Sequence, residues 1–404
     1  MPERIADRNV YVLGAGFSRS AGAPLISDFL DRARLFLQDP SSQLDETERA
    51  QFRRVFDFRR EMTQSRDKVI IDLDDIEQLF GLVEISRQLG RIKSETRDDT
   101  VYLIAKTLQL ASAAHYAQRR QLTFQLQPFA YQRLSPSLLN IIRNTGSSDF
   151  TVDMYHHFAA LLTGLYDTPE RVSQRQDTVI TFNYDIVVDQ ALRQLGYEAA
   201  YHLDENMIQS VHPANNLAKR SVLKLHGSAN WGICTNCRKS IVVLPEEKVT
   251  DSPEEFRALH CSKCAKQSFH PLLIPPSWDK SEYREIMKPV WDKAIAELSS
   301  ATRICIIGYS MPEVDASFKY LLALALSQNH ELFRFVVVDF IERADSLTGV
   351  EHRYRALLEP LFQKRRFSFY SQGLEQFLVN RGAYEILGRA EGIGGNIRSY
   401  GAST

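Results

Sequence analysis

The stretch Val10–Leu37, VYVLGAGFSRSAGAPLISDFLDRARLFL, constrains this chain more than any other. An apolar run of buried-strand type, Val10 to Leu13, leads directly into Gly14-Ala15-Gly16 and then into a polar loop through Gly22 and Pro24. The pattern predicts a helix from near Ser27, its N-cap, with Leu30, Ala33 and Leu37 on one face. Strand, glycine turn and helix in that order present main-chain N–H groups to a phosphate. Two common forms of such a loop are ruled out. No Gly-Lys-Ser/Thr closes it as in a P-loop, and Arg19 stands where a dehydrogenase fingerprint needs its third glycine. The acidic residue that would close a second strand about 20 residues on is missing too, since Asp31–Glu77 reads as charged helix. The Gly-x-Gly alone fits a plain tight turn equally well.

Short apolar runs later in the chain share one property. Val179–Phe182 ends at Asn183-Tyr184-Asp185, Val222–Leu225 at His226-Gly227-Ser228, Ile304–Ile307 at Gly308-Tyr309-Ser310, and Phe335–Val338 at Asp339. Each delivers glycine or a polar residue at its carboxyl end, where the ligand crevice of an open parallel sheet lies. Helical patterns at Val188–Leu195 and Val290–Leu298 supply crossovers, and Phe367–Tyr370 reads as an edge strand. The fold class is therefore α/β, a Rossmann-like and mostly parallel sheet.

Asn183 and Asp185 have two readings. They form an Asx turn capping the next helix, or they orient a sugar hydroxyl, a water or an amide. His226, just past a strand with glycine behind it, is a base candidate because its pKa lies near operating pH. Cys234-x-x-Cys237 and Cys261-x-x-Cys264 stand twenty-three residues apart, slightly beyond the usual zinc-ribbon spacing. Four thiolates in two such knuckles suit tetrahedral, structural zinc, with a redox dithiol as the alternative. Ile241–Leu244 would be a ribbon strand, and Cys305 a buried structural thiol.

The chain has 404 residues, 44% apolar and 25% charged, enough for two or three cores. A formal net charge of −1 argues against a protein held together mainly by binding nucleic acid. The charged start, MPERIADRN, and apolar runs too short for a bilayer point to a soluble, cytoplasmic protein without membrane contact. From Asp45 to about Asn144 the periodicity is helical, as at Ile76, Leu79, Phe80, Val83 and again at Val101, Ile104, Ala105, Leu108. We therefore expect an all-helical insertion at 40–149 within a nucleotide domain of 1–39, 150–230 and 270–387. A four-cysteine module occupies 231–269, and a glycine-rich tail, 388–404, reads as flexible. Arg53, Arg54, Arg59 and Arg60 read as solvated helix faces or, less readily, as a partner surface.

The string GAGFSRSAGAP resembles the opening motif of the sirtuins at every fixed position: Gly14, Ala15, Gly16, Ser18, Gly22 and Pro24. FNYD, LHGS, GYS and VVVD resemble later sirtuin motifs in the same order, and sirtuins carry a four-cysteine module after the histidine. The resemblance implies that NAD binds at these six positions with Gly308, Ser310 and Asp339. It implies catalytic roles for Asn183 (water or ribose), Asp185 (carboxamide) and His226 (ribose hydroxyls). It leaves the helical insertion uncovered. Two departures stand out: where deacylases carry Asp-Phe-Arg just after the proline, Leu25-Ile26-Ser27 intervenes and Asp28-Phe29 is followed by Leu30, and Pro271–Tyr283 lacks their Phe-Gly-Glu segment. PPSWDK, WGICTNC and GYSMPEVD look instead like divergent sirtuin-like proteins of bacterial phage defence, where the site hydrolyses NAD, often beside a ring-shaped partner ATPase. That likeness implies an NAD hydrolase, a homo-oligomer and such a partner. An NAD-dependent deacylase and a non-catalytic nucleotide-sensing subunit are the alternatives.

Overall fold

The computed structural model describes residues 7–63, 71–115, 121–125, 149–165, 175–211, 216–245, 252–275, 283–311, 316–340, 349–363, 366–378 and 398–399. Residues 126–148 of the expected insertion, 276–282 after the second cysteine pair, 312–315 and most of the 388–404 tail lie outside them. In chain order the strands are β1 (Asp7–Leu13), β2 (Gln121–Gln125), β3 (Asp149–Asp153), β4 (Arg175–Thr181), β5 (Tyr197–Ala200), β6 (Ala218–Lys224), β7 (Gly227–Cys234), β8 (Ile241–Val243), β9 (Phe269–Leu273), β10 (Arg303–Ile307), β11 (Arg334–Val338), β12 (Phe367–Tyr370) and β13 (Arg398–Ser399). The helices are α1 (Ala15–Ser18), α2 (Phe29–Gln38), α3 (Glu46–Thr63), α4 (Ile76–Gln88), α5 (Ser94–His115), α6 (Met154–Thr163), α7 (Val187–Gln194), α8 (Ser252–Ala258), α9 (Arg284–Ser299), α10 (Ala316–Leu326), α11 (Val350–Leu357), α12 (Glu359–Gln363) and α13 (Gly373–Phe377).

Seven strands pair in the order β12-β11-β10-β1-β4-β6-β5, every neighbour parallel. The alternation of β1 explains why both faces must be covered. Val10 and Val12 point into a core with α9, α10 and α11, while Tyr11 and Leu13 point into one with α6, α7 and α13. After β6 the chain crosses β1 and enters β10 on its other side. The strand order reverses there, so the crevice opens at the carboxyl ends of β1, β4 and β10. As expected, β12 is an edge strand. The opposite edge, β5, is four residues of YEAA that carry too weak a pattern to read.

The insertion is helical over α3, α4 and α5, with the expected Ile76, Leu79, Phe80, Val83, Val101, Ile104, Ala105 and Leu108 buried. It is not all helix. Strand β2 falls inside 40–149 and pairs antiparallel with β3 and with Arg398–Ser399 of the tail. Its core also takes Phe29, Leu30 and Ala33 of α2 and Leu273 of β9, so the boundary expected at residue 39 runs through a shared core. Arg53 pairs with Glu46, Arg54 with Asp99, Arg59 with Asp74 and Arg60 with Asp57, so all four arginines have partners within the insertion itself. A third sheet, β8-β7-β9, carries the cysteine module. Cys305 is buried on β10.

Candidate active site

The loop after β1 is not open, as its polar sequence led us to expect. It forms α1 at once and then a short 3-10 turn, Arg19–Ala21, which Gly22 ends in the left-handed region at φ 89°. Helix α2 begins at Phe29, two residues after the expected Ser27 cap. The residue before it is Asp28, whose Oδ1 accepts the Leu25 N–H at 2.6 Å. The glycines are required because two main chains touch. The Gly14 N–H donates to the Ile307 carbonyl at 3.0 Å and the Gly16 N–H to the Gly308 carbonyl at 2.8 Å. A Cβ on Gly14 would stand 2.5 Å from the Tyr309 Cα, and one on Gly308 2.2 Å from the Phe17 nitrogen. The amides of Gly14 and Gly16 are thus spent on this contact, and the glycine turn works by close approach of backbones rather than as a three-amide cradle.

Beside this turn lies a cleft of about 470 Å³. Ala15, Gly16, Pro24, Asn183, Asp185, His226, Gly308, Ser310 and Asp339 all line it, so the structure brings together most of the residues singled out in sequence. Gly14, Ser18 and Gly22 stand behind that wall. Ser18 is fully buried and joins two of the others: Asn183 Nδ2 donates to its hydroxyl oxygen at 3.2 Å, and its hydroxyl bonds Asp185. Asn183 Nδ2 also donates to the Gly14 carbonyl at 2.8 Å, which fixes the amide and leaves Oδ1 as its remaining acceptor. Asp185 Oδ1 accepts the Val187 N–H at 3.1 Å, the bond of an Asx turn at the start of α7. Burial pushes the Asp185 carboxyl above its usual range, against the pull of Lys224.

His226 is 2% exposed, edge-on to Phe182 with ring centres 5.2 Å apart. Phe182 in turn stacks on Tyr309 at 4.9 Å. Gly227 follows at φ 83°, and a Cβ there would meet the Leu272 carbonyl oxygen at 2.0 Å, so the turn after the histidine demands glycine. At the far end Asp339 Oδ1 accepts the Phe340 N–H at 2.8 Å. Burial raises its carboxyl pKa, while that N–H and Arg353 oppose the rise. Arg353 also holds the Ser310 carbonyl at 2.8 Å.

The remaining wall was missed in sequence. Asp72, Asp75, Ile76, Glu77 and Phe80, with Ile104 and Leu108 of α5, bring the helical insertion into the cleft. Periodicity marked Ile76, Phe80, Ile104 and Leu108 as core, and nothing local distinguishes a helical core residue that also faces a ligand. Tyr184 was passed over as the spacer of Asn-x-Asp, yet it lines the cleft and donates its hydroxyl to the Ile274 carbonyl at 2.8 Å.

Cys234, Cys237, Cys261 and Cys264 converge so that their sulfurs all lie within 4.8 Å of one another, two pairs at 3.6 Å. A tetrahedral ion with sulfur at roughly 2.3 Å holds its sulfurs about 3.8 Å apart, so the donor set fits zinc. The two knuckles repeat one geometry. Arg238 (φ 55°) donates its N–H to the Cys234 carbonyl and Ala265 (φ 58°) to the Cys261 carbonyl, both at 2.8 Å. Main-chain N–H groups of Asn236 and Cys237 bond the Cys234 sulfur, and those of Lys263 and Cys264 the Cys261 sulfur. Such bonds stabilise thiolates.

Residues 177–348 match the sequence model of the SIR2-like domain. That span holds Asn183, Asp185, His226, the four cysteines, Gly308, Ser310 and Asp339. The glycine turn and the insertion lie outside it. A search of curated proteins finds no match. Among solved structures the chain is similar to Sir2Tm bound to a propionylated peptide (13% identity, 94% of this chain and 93% of that one, TM-score 0.37). It is also similar to a Sir2–p53 peptide–NAD+ structure (13%, 94% and 93%, TM-score 0.37). Among the described residues, no helix is long and apolar enough to cross a membrane.

Proposed function

We propose that the cleft binds NAD and hydrolyses it to nicotinamide and ADP-ribose. The observation that carries this reading is the convergence of Asn183, Asp185 and His226 on one cleft at the switch point, within the SIR2-like span. In the proposed step the bond from ribose C1′ to the pyridinium nitrogen breaks, its electron pair leaves with nicotinamide, and a water oxygen adds to C1′. The water's proton passes to His226 or to solvent. Asn183, its amide N–H groups already engaged, offers Oδ1 to orient that water or a ribose hydroxyl. Asp185 holds the carboxamide. The dinucleotide follows the wall from Ala15 and Gly16, past Gly308 and Ser310, to Asp339. A buried, preorganised site of this kind stabilises developing charge without reorganising.

Hydrolysis rather than deacylation is favoured by the sequence departures around the cleft. Leu25-Ile26-Ser27 intervenes after Pro24 where deacylases carry Asp-Phe-Arg. Leu25 and Ile26 line the cleft together with Phe80, Ile104 and Leu108 of the chain's own insertion. Zinc in the four-cysteine cluster would be structural, tying β7 to the segment before β9. The same reading makes the protein the effector of an anti-phage defence system, a homo-oligomer acting beside a ring-shaped ATPase. The test is incubation of pure protein with NAD, with and without an acetylated peptide, beside co-purification from the native host. ADP-ribose without peptide is the expected product. O-acetyl-ADP-ribose formed only with peptide would assign a deacylase, and binding without turnover a sensor.

A further inference from the structure

Lys224 closes β6 two residues before His226, and its side chain is fully buried. A lysine so placed is costly unless its charge is met. Its ammonium donates to the main-chain carbonyl of Asp185 at 2.6 Å and pairs with the Asp189 carboxylate at 2.9 Å. Asp189, wholly buried on α7, also accepts the Tyr201 hydroxyl at 2.6 Å. Asn230 Nδ2 donates to that hydroxyl at 3.2 Å and to the Leu244 carbonyl at 3.1 Å, and the Ser228 hydroxyl donates to Asn230 Oδ1 at 2.6 Å. A chain of buried hydrogen bonds therefore runs from the cysteine module's strands to the underside of the Asn183–Asp185 turn.

We propose that Lys224 is a positioning residue for that turn. It grips the Asp185 carbonyl, which fixes where the Asn183 and Asp185 side chains stand, and it neutralises Asp189 behind them. The charged and titratable groups around Asp185 are Lys224 at the end of β6, Asp189 on α7, and His226, Arg19 and Asp339 across the cleft. Lys224 is the cation opposing the effect of burial on Asp185, and Asp189 acts the other way. The catalytic half of the inference rests on the NAD reading. The half concerning the Asp185 charge does not.

Removing Lys224 alone would strand a buried carboxylate, so the test uses Lys224→Met with Asp189→Asn, which removes both charges and keeps an acceptor for Tyr201. Replacing a buried ion pair by uncharged groups of similar volume is often neutral for folding. If this pair does not fold, Lys224→Gln with Asp189→Asn serves in its place. The folded variant should lose roughly tenfold or more in kcat for NAD with KM little changed. The ¹³C carboxyl titration of Asp185, assigned with Asp185→Asn, should move to higher pH, because the loss of Lys224, the larger of the two opposing charge effects on Asp185, outweighs the loss of Asp189. A folded variant with wild-type kcat and the wild-type titration midpoint overturns the proposal. Wild-type protein inert to NAD would refute the NAD reading instead, and the Asp185 midpoint alone would then decide the role of Lys224.

Discussion

Asn183 and His226 line one cleft but are held there by different contacts. Asn183 is tied at 2.8 Å to Gly14 and at 3.2 Å to Ser18, while His226 is held by rings and by its own carbonyl, which accepts the Ile274 N–H at 2.9 Å. If both act mainly in the transition state, Asn183→Ala and His226→Ala should each cut hydrolysis by about a hundred- to ten-thousand-fold. NAD affinity should fall much less, because the glycine turn remains. Calorimetric binding beside turnover checks this, and a His226→Ala variant at the wild-type rate would sink the assignment. These two residues were legible in the sequence because polar groups at the ends of apolar strands have few purely structural reasons to recur. Lys224 was not. It ends the same apolar run, but a lone lysine inside LKLHGS reads as the solvent side of a strand until its partners on α7 and at Tyr201 are known.

At the scale of elements, the turn after β1 and the turn after β10 form one unit. Gly308 sits at φ 62° with no room for a Cβ against Phe17, and its N–H donates to the Val338 carbonyl at 2.8 Å. Gly308→Ala would therefore meet a left-handed penalty of roughly 1–2 kcal/mol as well as a main-chain clash. It should lower the melting temperature and weaken NAD binding, whereas His226→Ala should leave both nearly intact. Thermal unfolding and calorimetry on the two variants separate these effects, and wild-type binding by Gly308→Ala would refute the coupling of the turns. The apolar strands β1, β4, β6, β10 and β11 were plain in the sequence because burial on both faces makes them continuous apolar runs. Helix α1 was not, because its first turn is written in glycine and serine and is held by contact with β10 rather than by propensity. Strand β2 was hidden for a similar reason. Its partners β3 and β13 come from distant parts of the chain.

Across the whole molecule the modules share their cores, so damage at one end should reach the cleft at the other. Strand β7 starts at Gly227, directly after His226, and ends at Cys234, while β9 pairs with it in the register Gly227↔Leu273 and Cys234↔Phe269. Leu273 belongs in turn to the insertion's core, and Asp98 of α5 pairs with His270 of β9 at 3.6 Å. The four-cysteine cluster thus anchors the sheet that carries the histidine turn and supports the insertion's wall. Structural zinc contributes roughly 10 kcal/mol or more of apparent binding free energy, more than a typical domain's whole margin of about 5–15 kcal/mol can lose safely. Purified protein should contain about one zinc per chain. Cys234→Ser, which removes a buried ligand at the end of β7, should release the metal, lower the melting temperature sharply and abolish NAD turnover, although Cys234 itself does not line the cleft. Elemental analysis, unfolding and turnover on the same preparations test the chain of cause. Folded protein that holds no zinc would remove the metal from the account, and a zinc-free Cys234→Ser variant with full turnover would show that the cleft stands without it.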